Sequence, residues 1–463
     1  MAITSITIEN FKCIGDAVTI PIRPITLLFG KNSSGKSTVL QAASYAFELF
    51  LRMLSNESLD RLNKVNIIRG GGHTIRGNFS SLVHCYDLKR KIRIRIEFSI
   101  YETTGFKMDS GWIEVTIGRN TKIEASGILG LNGTKFMRFE SKKMTIDDEE
   151  KWVKLSEDCL LYWNTQHPFT QYLKNLKRDK AKENIDFLCA YINYLGRYGF
   201  LHLGPIRSTP FGTSKPKKDK KNKKVPKKKS KSTNSREELE AYITRILQEN
   251  KSNRESFAKS SASGLIHYGL LMSGGKKSIK RINDYMRDIF KLGYTISDID
   301  RMRFHDEDKN IDVGLADIGT GVGQVIPVIV GALYRTPAMD QLPKLFAVEQ
   351  PELHIHPALQ VSLGDLFIDG MHNSNRTMLI ETHSEHLLLR LMRRVRETTR
   401  HSKHQTTKVE QPDHELTPND LSVIYIRPTP AGVKFTPLTV TNKGDFDAPW
   451  PEGFFEERES EWY

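Results

Sequence analysis

Cysteine is scarce in this sequence: Cys13, Cys85, Cys159 and Cys189 are scattered over 463 residues. None of them falls at a zinc-type spacing, and such a scatter reads as free thiols in a reducing cytosol. No apolar run approaches the ~20 residues that span a bilayer, and the start MAITSITIENFK lacks the basic and apolar regions of a signal peptide. These absences point away from membrane and secreted classes and towards a cytoplasmic protein. No internal repeat is visible, and residues 105–300 carry no sustained heptads, which excludes a long coiled-coil arm. What remains is 38% hydrophobic and 27% charged, enough to build a core in one large or two to three ordinary domains.

A net charge of +14 suggests nucleic acid until its location is considered. Lys215–Lys231 holds eleven lysines and one aspartate, a net +10, which leaves +4 for the rest of the chain. With two prolines and almost no apolar residue, the surrounding stretch 214–234 reads as a disordered loop. It suits an arm for DNA, RNA or an acidic protein surface, bound through counterion release. A loop that only keeps the chain soluble is the equal alternative.

The rest of the chain is organised around Gly30, Lys31, Asn32, Ser33, Ser34, Gly35, Lys36, Ser37 and Thr38. The apolar Pro24–Phe29 before them reads as a buried strand, and Val39–Leu51 after them has helical spacing with no Gly or Pro. Strand, Gly-x-x-x-x-Gly-Lys-Ser, helix is the context a phosphate-binding P-loop requires. Gly30 and Gly35 let successive amides turn towards phosphate oxygens, and the helix start adds unpaired N–H groups and a positive dipole end. Lys36 is placed to reach the terminal phosphates of ATP, and the Ser37 hydroxyl to ligate Mg²⁺.

A second half of the site is expected far downstream. Lys344–Glu352 (KLFAVEQPE) is an apolar strand ending in acid, which puts Glu349 beside the metal. Gly319, Thr320, Gly321, Gly323 and Gln324 open an apolar helix and form a second anion-binding end. Thr377–Ser384 (TMLIETHS) is a further strand, with His383 at its end. Between the halves, residues 147–200 read as helical. Ser235–Glu238 has capping-box spacing, and a helix near 279–292 carries Ile282, Tyr285, Met286, Ile289 and Phe290 on one face.

P-loop, glycine turn, acidic strand and histidine, in this order, resemble the ABC-class ATPases. More narrowly, ENFKCIGDAVTI, GKNSSGKST, GNFSSLVH, LGPIRSTP, DIGTGVGQVIP, VEQPELHIHP, ETHSEHLL and WPEGFF look like the OLD-type ABC/AAA ATPases of bacterial phage-defence systems. The resemblance implies an α/β fold, an ABC-type P-loop NTPase head (a mixed β-sheet with a central helix) with a helical insertion. The implied divisions are 1–140 and 301–400 for the two parts of the head, 141–300 for the insertion, and 401–463 for a hairpin and tail. It also implies a head-to-tail pair in which Gly319, Thr320, Gly321, Gly323 and Gln324 act in trans on the partner's ATP, while His383 senses the γ-phosphate. Ser81–His84 lies where the family links nucleotide to helical lobe, without the usual glutamine. His354 and His356 lie in the family's dimer-contact loop.

Two departures bear on catalysis. Gln350 stands where ABC enzymes place the glutamate that acts as general base, and an amide accepts no proton from water. Either Glu352 substitutes or the protein turns over slowly, as a long-lived clamp. Gly323 replaces the usual signature serine, so trans contact rests on amides. No metal-binding strand ends of a toprim nuclease follow His383, so any cutting falls to a separate chain. The expected function is an ATP-dependent sensor or scaffold that holds a separate effector, a toprim or HNH nuclease, as in PARIS-type or Septu-type systems. The alternatives are a DNA-binding SMC- or repair-type ATPase and the ATPase of an OLD-like nuclease complex.

Overall fold

The computed structural model describes residues 3–54, 67–68, 74–75, 79–99, 110–119, 123–132, 134–141, 152–154, 159–163, 200–204, 276–298, 303–314, 317–333, 344–374, 376–403, 414–430 and 432–451. The lysine stretch 215–231 and the capping box at Ser235 lie outside them.

The chain begins β1 (Ile3–Glu9), β2 (Val18–Pro21), β3 (Ile25–Phe29) and α1 (Lys36–Leu54). Short β4 (Ile67–Ile68), β5 (Thr74–Ile75) and α2 (Phe79–Leu82) lead to β6 (Ile92–Ser99), β7 (Ser110–Arg119), β8 (Ile123–Leu131) and β9 (Thr134–Ser141). Then come β10 (Trp152–Lys154), β11 (Cys159–Trp163), β12 (Phe200–Leu203) and α3 (Lys276–Asp284). The second half runs β13 (Tyr294–Asp298), β14 (Arg303–Asp306), β15 (Ile311–Gly314), α4 (Thr320–Leu333) and β16 (Lys344–Glu349). It ends with α5 (Pro357–Ser374), β17 (Arg376–Glu381), α6 (Glu385–Lys403), β18 (Leu421–Thr429) and β19 (Gly432–Leu438).

Two large sheets result. One is antiparallel, in the order β10-β11-β9-β8-β7-β6-β1-β2. Its strands alternate: in β6 the isoleucines point inward and the arginines outward, as a sheet with one wet face demands. The other has the order β12-β16-β17-β3-β18-β19, parallel except for β19. Its central strands β3 and β17 are buried along their whole length, the pattern of a sheet covered on both faces. Helix α1 lies between the sheets, touching β1, β6 and β7 of one and β12, β16 and β17 of the other. The expected mixed α/β P-loop head with its central helix is therefore present.

Three expectations need correction. The sheet continues past residue 140: β10 and β11 occupy ground expected to be helical, and their aromatic and aliphatic content (WVK, CLLYW) outweighs the charges around them. Strand β12, also within the 141–300 insertion, belongs to the parallel sheet. The hairpin expected in 401–463 is present as β18 and β19, and β18 pairs in parallel with β3. In the helix that α3 begins, Ile282, Tyr285, Met286 and Phe290 are buried as expected, but Ile289 is 43% exposed. A π-turn over Tyr285–Ile289, with the Phe290 amide donating to the Tyr285 carbonyl, inserts one residue and rotates Ile289 off the apolar face.

Candidate nucleotide site

Parallel sheets offer ligands the carboxyl ends of their strands. Here β3 ends on Phe29 before the P-loop, β16 on Glu349 and β17 on Glu381, and Glu349 and Glu381 are direct neighbours in register. Topology alone thus brings two carboxylates side by side at the mouth of the P-loop.

The loop's own geometry explains its glycines. Gly30 has φ +146°, and a Cβ there would stand 2.1 Å from the Ile426 carbonyl of β18. Gly35 has φ +101°, with the Cys13 sulfur 2.8 Å from where a Cβ would lie. Lys36, though charged, is 3% exposed. Its Nζ donates to the Gly30 and Lys31 carbonyls, both at 2.9 Å, so the ammonium is folded back into the loop. Burial lowers its pKa, while Glu381 and Glu352 oppose that shift.

Ser37 and Glu349 are the two residues expected to hold the metal. The Ser37 hydroxyl donates to Glu381 Oε2 at 2.7 Å. Glu349 Oε1 instead accepts from His202 Nε2 of β12 at 2.8 Å, in a pair that is buried on both sides. Burial, then the neighbouring Glu349, pushes the Glu381 carboxyl up to about 7, against the pull of Ser37 and Lys36. Sequence reasoning missed Glu381 and His202, yet a signal existed for each. Glu381 ends an apolar strand just as Glu349 does, and His202 interrupts the apolar FLHL.

The residues after β16 close over the site. The Gln350 amide donates to the Glu381 carbonyl at 2.7 Å, and Gln350 itself has φ +44°. Glu352 Oε1 accepts the His383 backbone N–H at 2.8 Å, tying the acidic turn to the expected switch histidine. His383 feels Lys36, and its pKa is lowered chiefly by burial, so it is a neutral imidazole at pH 7. His356 is occupied as a helix cap: its Nδ1 accepts from the Ala358 amide at the start of α5. The Ser81–His84 segment is tied to the connection between β1 and β2, where His84 Nδ1 donates to the Lys12 carbonyl at 2.8 Å.

The expected trans residues split in two. Gly319 and Thr320 are exposed at the start of α4, and a Cβ on Gly319 or Gly323 would meet open space among the described residues. Gly321 is needed within the chain, since a Cβ there would come 2.7 Å from the His354 carbonyl. Gln324 is buried, because α4 turns wholly into the core from that position on, so it does not share the exposed face.

The site fits a magnesium-bound polyphosphate. The Ser37 hydroxyl, Glu381 and Glu349 supply hard oxygen donors, and the ammonium of Lys36 has Glu381 and Glu352 as its charge partners. Among the described residues, Ser34 Oγ and His383 Nε2 are buried without a hydrogen-bond partner, leaving one polar atom in the loop and one at the end of β17.

A family model, AAA ATPase domain, matches residues 1–388. No curated protein matches the chain. Among solved structures, the SMC head domain from Thermotoga maritima aligns at 10% identity and TM-score 0.40, over 94% of this chain and 99% of that one. An SmcHead bound to the C-winged helix domain of ScpA aligns at 10% identity and TM-score 0.43, over 95% and 98%. An Smc head domain with an extended coiled coil, bound to the C-terminal domain of ScpA derived from Pyrococcus furiosus, aligns at 12% identity and TM-score 0.38, over the whole of both chains. All three scores lie below 0.5, so the fold rests on the strand order above.

Proposed function

Because the chain belongs to the AAA ATPase domain family, we propose that it binds ATP with Mg²⁺ at the P-loop and hydrolyses it slowly. In this reading two copies close around the nucleotide, and the closed form controls a separate effector, a toprim or HNH nuclease, in cytoplasmic anti-phage defence. The observation that carries the nucleotide reading is the convergence of Lys36, Ser37 and Glu381 at the carboxyl ends of neighbouring parallel strands. Ser37, with Glu381 and Glu349, would hold the metal. Its chemistry is to neutralise the phosphates' charge as the terminal bond breaks. Gly30–Gly35 amides and Lys36 would orient the triphosphate, and neutral His383 would meet its terminal phosphate. The exposed Gly319 and Thr320 would face a partner's nucleotide. The defence role rests on the motif resemblance. The basic stretch Lys215–Lys231 favours a second reading, an SMC- or repair-type ATPase acting on DNA.

The test is co-purification of the chain with the product of its neighbouring gene, with and without ATP, alongside light scattering of the chain alone. ATP-dependent dimers and retention of a nuclease are expected. A chain that stays monomeric with saturating ATP and Mg²⁺ overturns the clamp. Gln350→Glu tests the missing base and should raise the steady-state rate by at least about 10-fold. An unchanged rate would assign the base to Glu352.

A further inference from the structure

The parallel sheet sets four side chains in line across its carboxyl ends, in the order of its strands β12, β16, β17 and β3. They are His202, Glu349, Glu381 and Ser37, the last standing in α1 just after the loop that follows β3. Glu349 and Glu381 are register neighbours in the middle of the line. Each is tied on its outer side: Ser37 donates to Glu381 at 2.7 Å, and His202 Nε2 to Glu349 Oε1 at 2.8 Å. Two carboxylates side by side repel when both are ionised, so the pair favours a cation, and a donor outside each acid keeps it from turning away.

His202 is the polar exception in the buried strand FLHL. It is 2% exposed and Glu349 5%, so bulk water does not take the place of their hydrogen bond. Packing holds the imidazole independently of the carboxylate. Phe200, two residues earlier and so on the same face of β12, stacks on Phe47 of α1 with ring centroids 5.0 Å apart and planes 14° from parallel. The His202 ring centroid stands 6.2 Å from that of Phe200. The donor is thus in place before any ligand arrives, and removing it takes a hydrogen bond from a buried acid. Partners of this kind fix the orientation of metal-binding carboxylates, and losing one typically costs ~10–100-fold in metal affinity.

We propose that His202 is a positioning residue for the magnesium site: its Nε2–H holds Glu349 in the orientation from which that carboxylate serves the cation, so His202 sets the affinity for the metal rather than for the nucleotide. The inference rests on the nucleotide reading above and deepens it by bringing β12 into the site.

The experiment uses Mn²⁺ in place of Mg²⁺, because the free aqueous ion gives an electron paramagnetic resonance signal that binding removes. The full chain, loaded with a non-hydrolysable ATP analogue, is titrated with Mn²⁺, and affinity for the analogue alone is measured by calorimetry in EDTA. His202→Phe keeps a ring beside Phe200 but has no donor. It should weaken Mn²⁺ binding at least about 10-fold and leave metal-free analogue affinity within about 2-fold. His202→Gln, whose amide nitrogen replaces Nε2, should recover most of the loss. Unchanged Mn²⁺ affinity in His202→Phe overturns the proposal and leaves the nucleotide site standing. Equal losses in the Phe and Gln variants overturn it too, since the shape of the ring and not its donor would then be what matters. A wild-type chain that does not bind the analogue removes the nucleotide reading and this one with it. NMR of ¹⁵N-histidine in the wild-type chain gives an answer independent of the variants' folding. The His202 Nε2 proton should stay protected from exchange with and without Mg²⁺ and analogue, and its loss on metal binding would sink the proposal.

Discussion

Replacing Lys36 with alanine should weaken ATP binding by at least about 100-fold, or about 3 kcal/mol. The ammonium is buried and held by two loop carbonyls, with Glu381 and Glu352 as its charge partners. In that setting it is a cation already stripped of most of its water, so its attraction to phosphate is weakly screened. The same change removes a cation that pulls the Glu381 carboxyl down, so Glu381 should titrate still higher in the variant. Calorimetric titration with ATP reads the first effect, and NMR titration of labelled glutamate side chains the second. Wild-type affinity in the variant would remove the site assignment.

The second large effect is a pH dependence centred on Glu381. Its carboxyl is raised from an ordinary 4.5 to about 7, a difference worth at most about 3 kcal/mol. A carboxyl with a raised native pKa binds its proton more tightly folded than unfolded. The stability it contributes is therefore fully present below pH 4.5 and is lost as pH rises through about 7. The nucleotide-free chain should be more stable to urea at pH 5.5 than at pH 8 as far as this group is concerned, the reverse of an ordinary surface carboxylate. Glu381→Gln, a neutral stand-in for the protonated form, should flatten that dependence and raise stability at pH 8. It should also weaken Mg²⁺-dependent nucleotide binding by at least about 10-fold, since an amide is a poor replacement for a carboxylate donor. A variant with the same pH profile as wild type would show that some other group is responsible.

Much of this site was legible in the sequence because its parts are local. Strand, glycine loop and helix at Ile25–Leu54 follow one another within thirty residues, and each announces itself by spacing or by backbone demand. The acid at Glu349 was found for the same reason. Which acid meets which hydroxyl was not legible, because it depends on strand order. Since β17, not β16, lies next to β3, Glu381 takes Ser37 and Glu349 is left to His202. The error over β10 and β11 has another origin: the strands are only three and five residues long, and the charge-rich sequence around them hides so short an antiparallel pair. Ile289 was misplaced by a single inserted residue, which no periodicity reveals in advance.

Strand β18 and Trp450, whose ring contacts those of Phe29 and Tyr425, lie beyond residue 388, where the family match stops. Cutting the chain there would strip one flank from β3 and leave its amides and carbonyls as a raw border, the kind along which proteins polymerise. The span that carries the recognisable motifs is thus not a portable unit. Anyone trimming this protein for expression should expect aggregates from that truncation, and soluble material only when the last strands travel with the first.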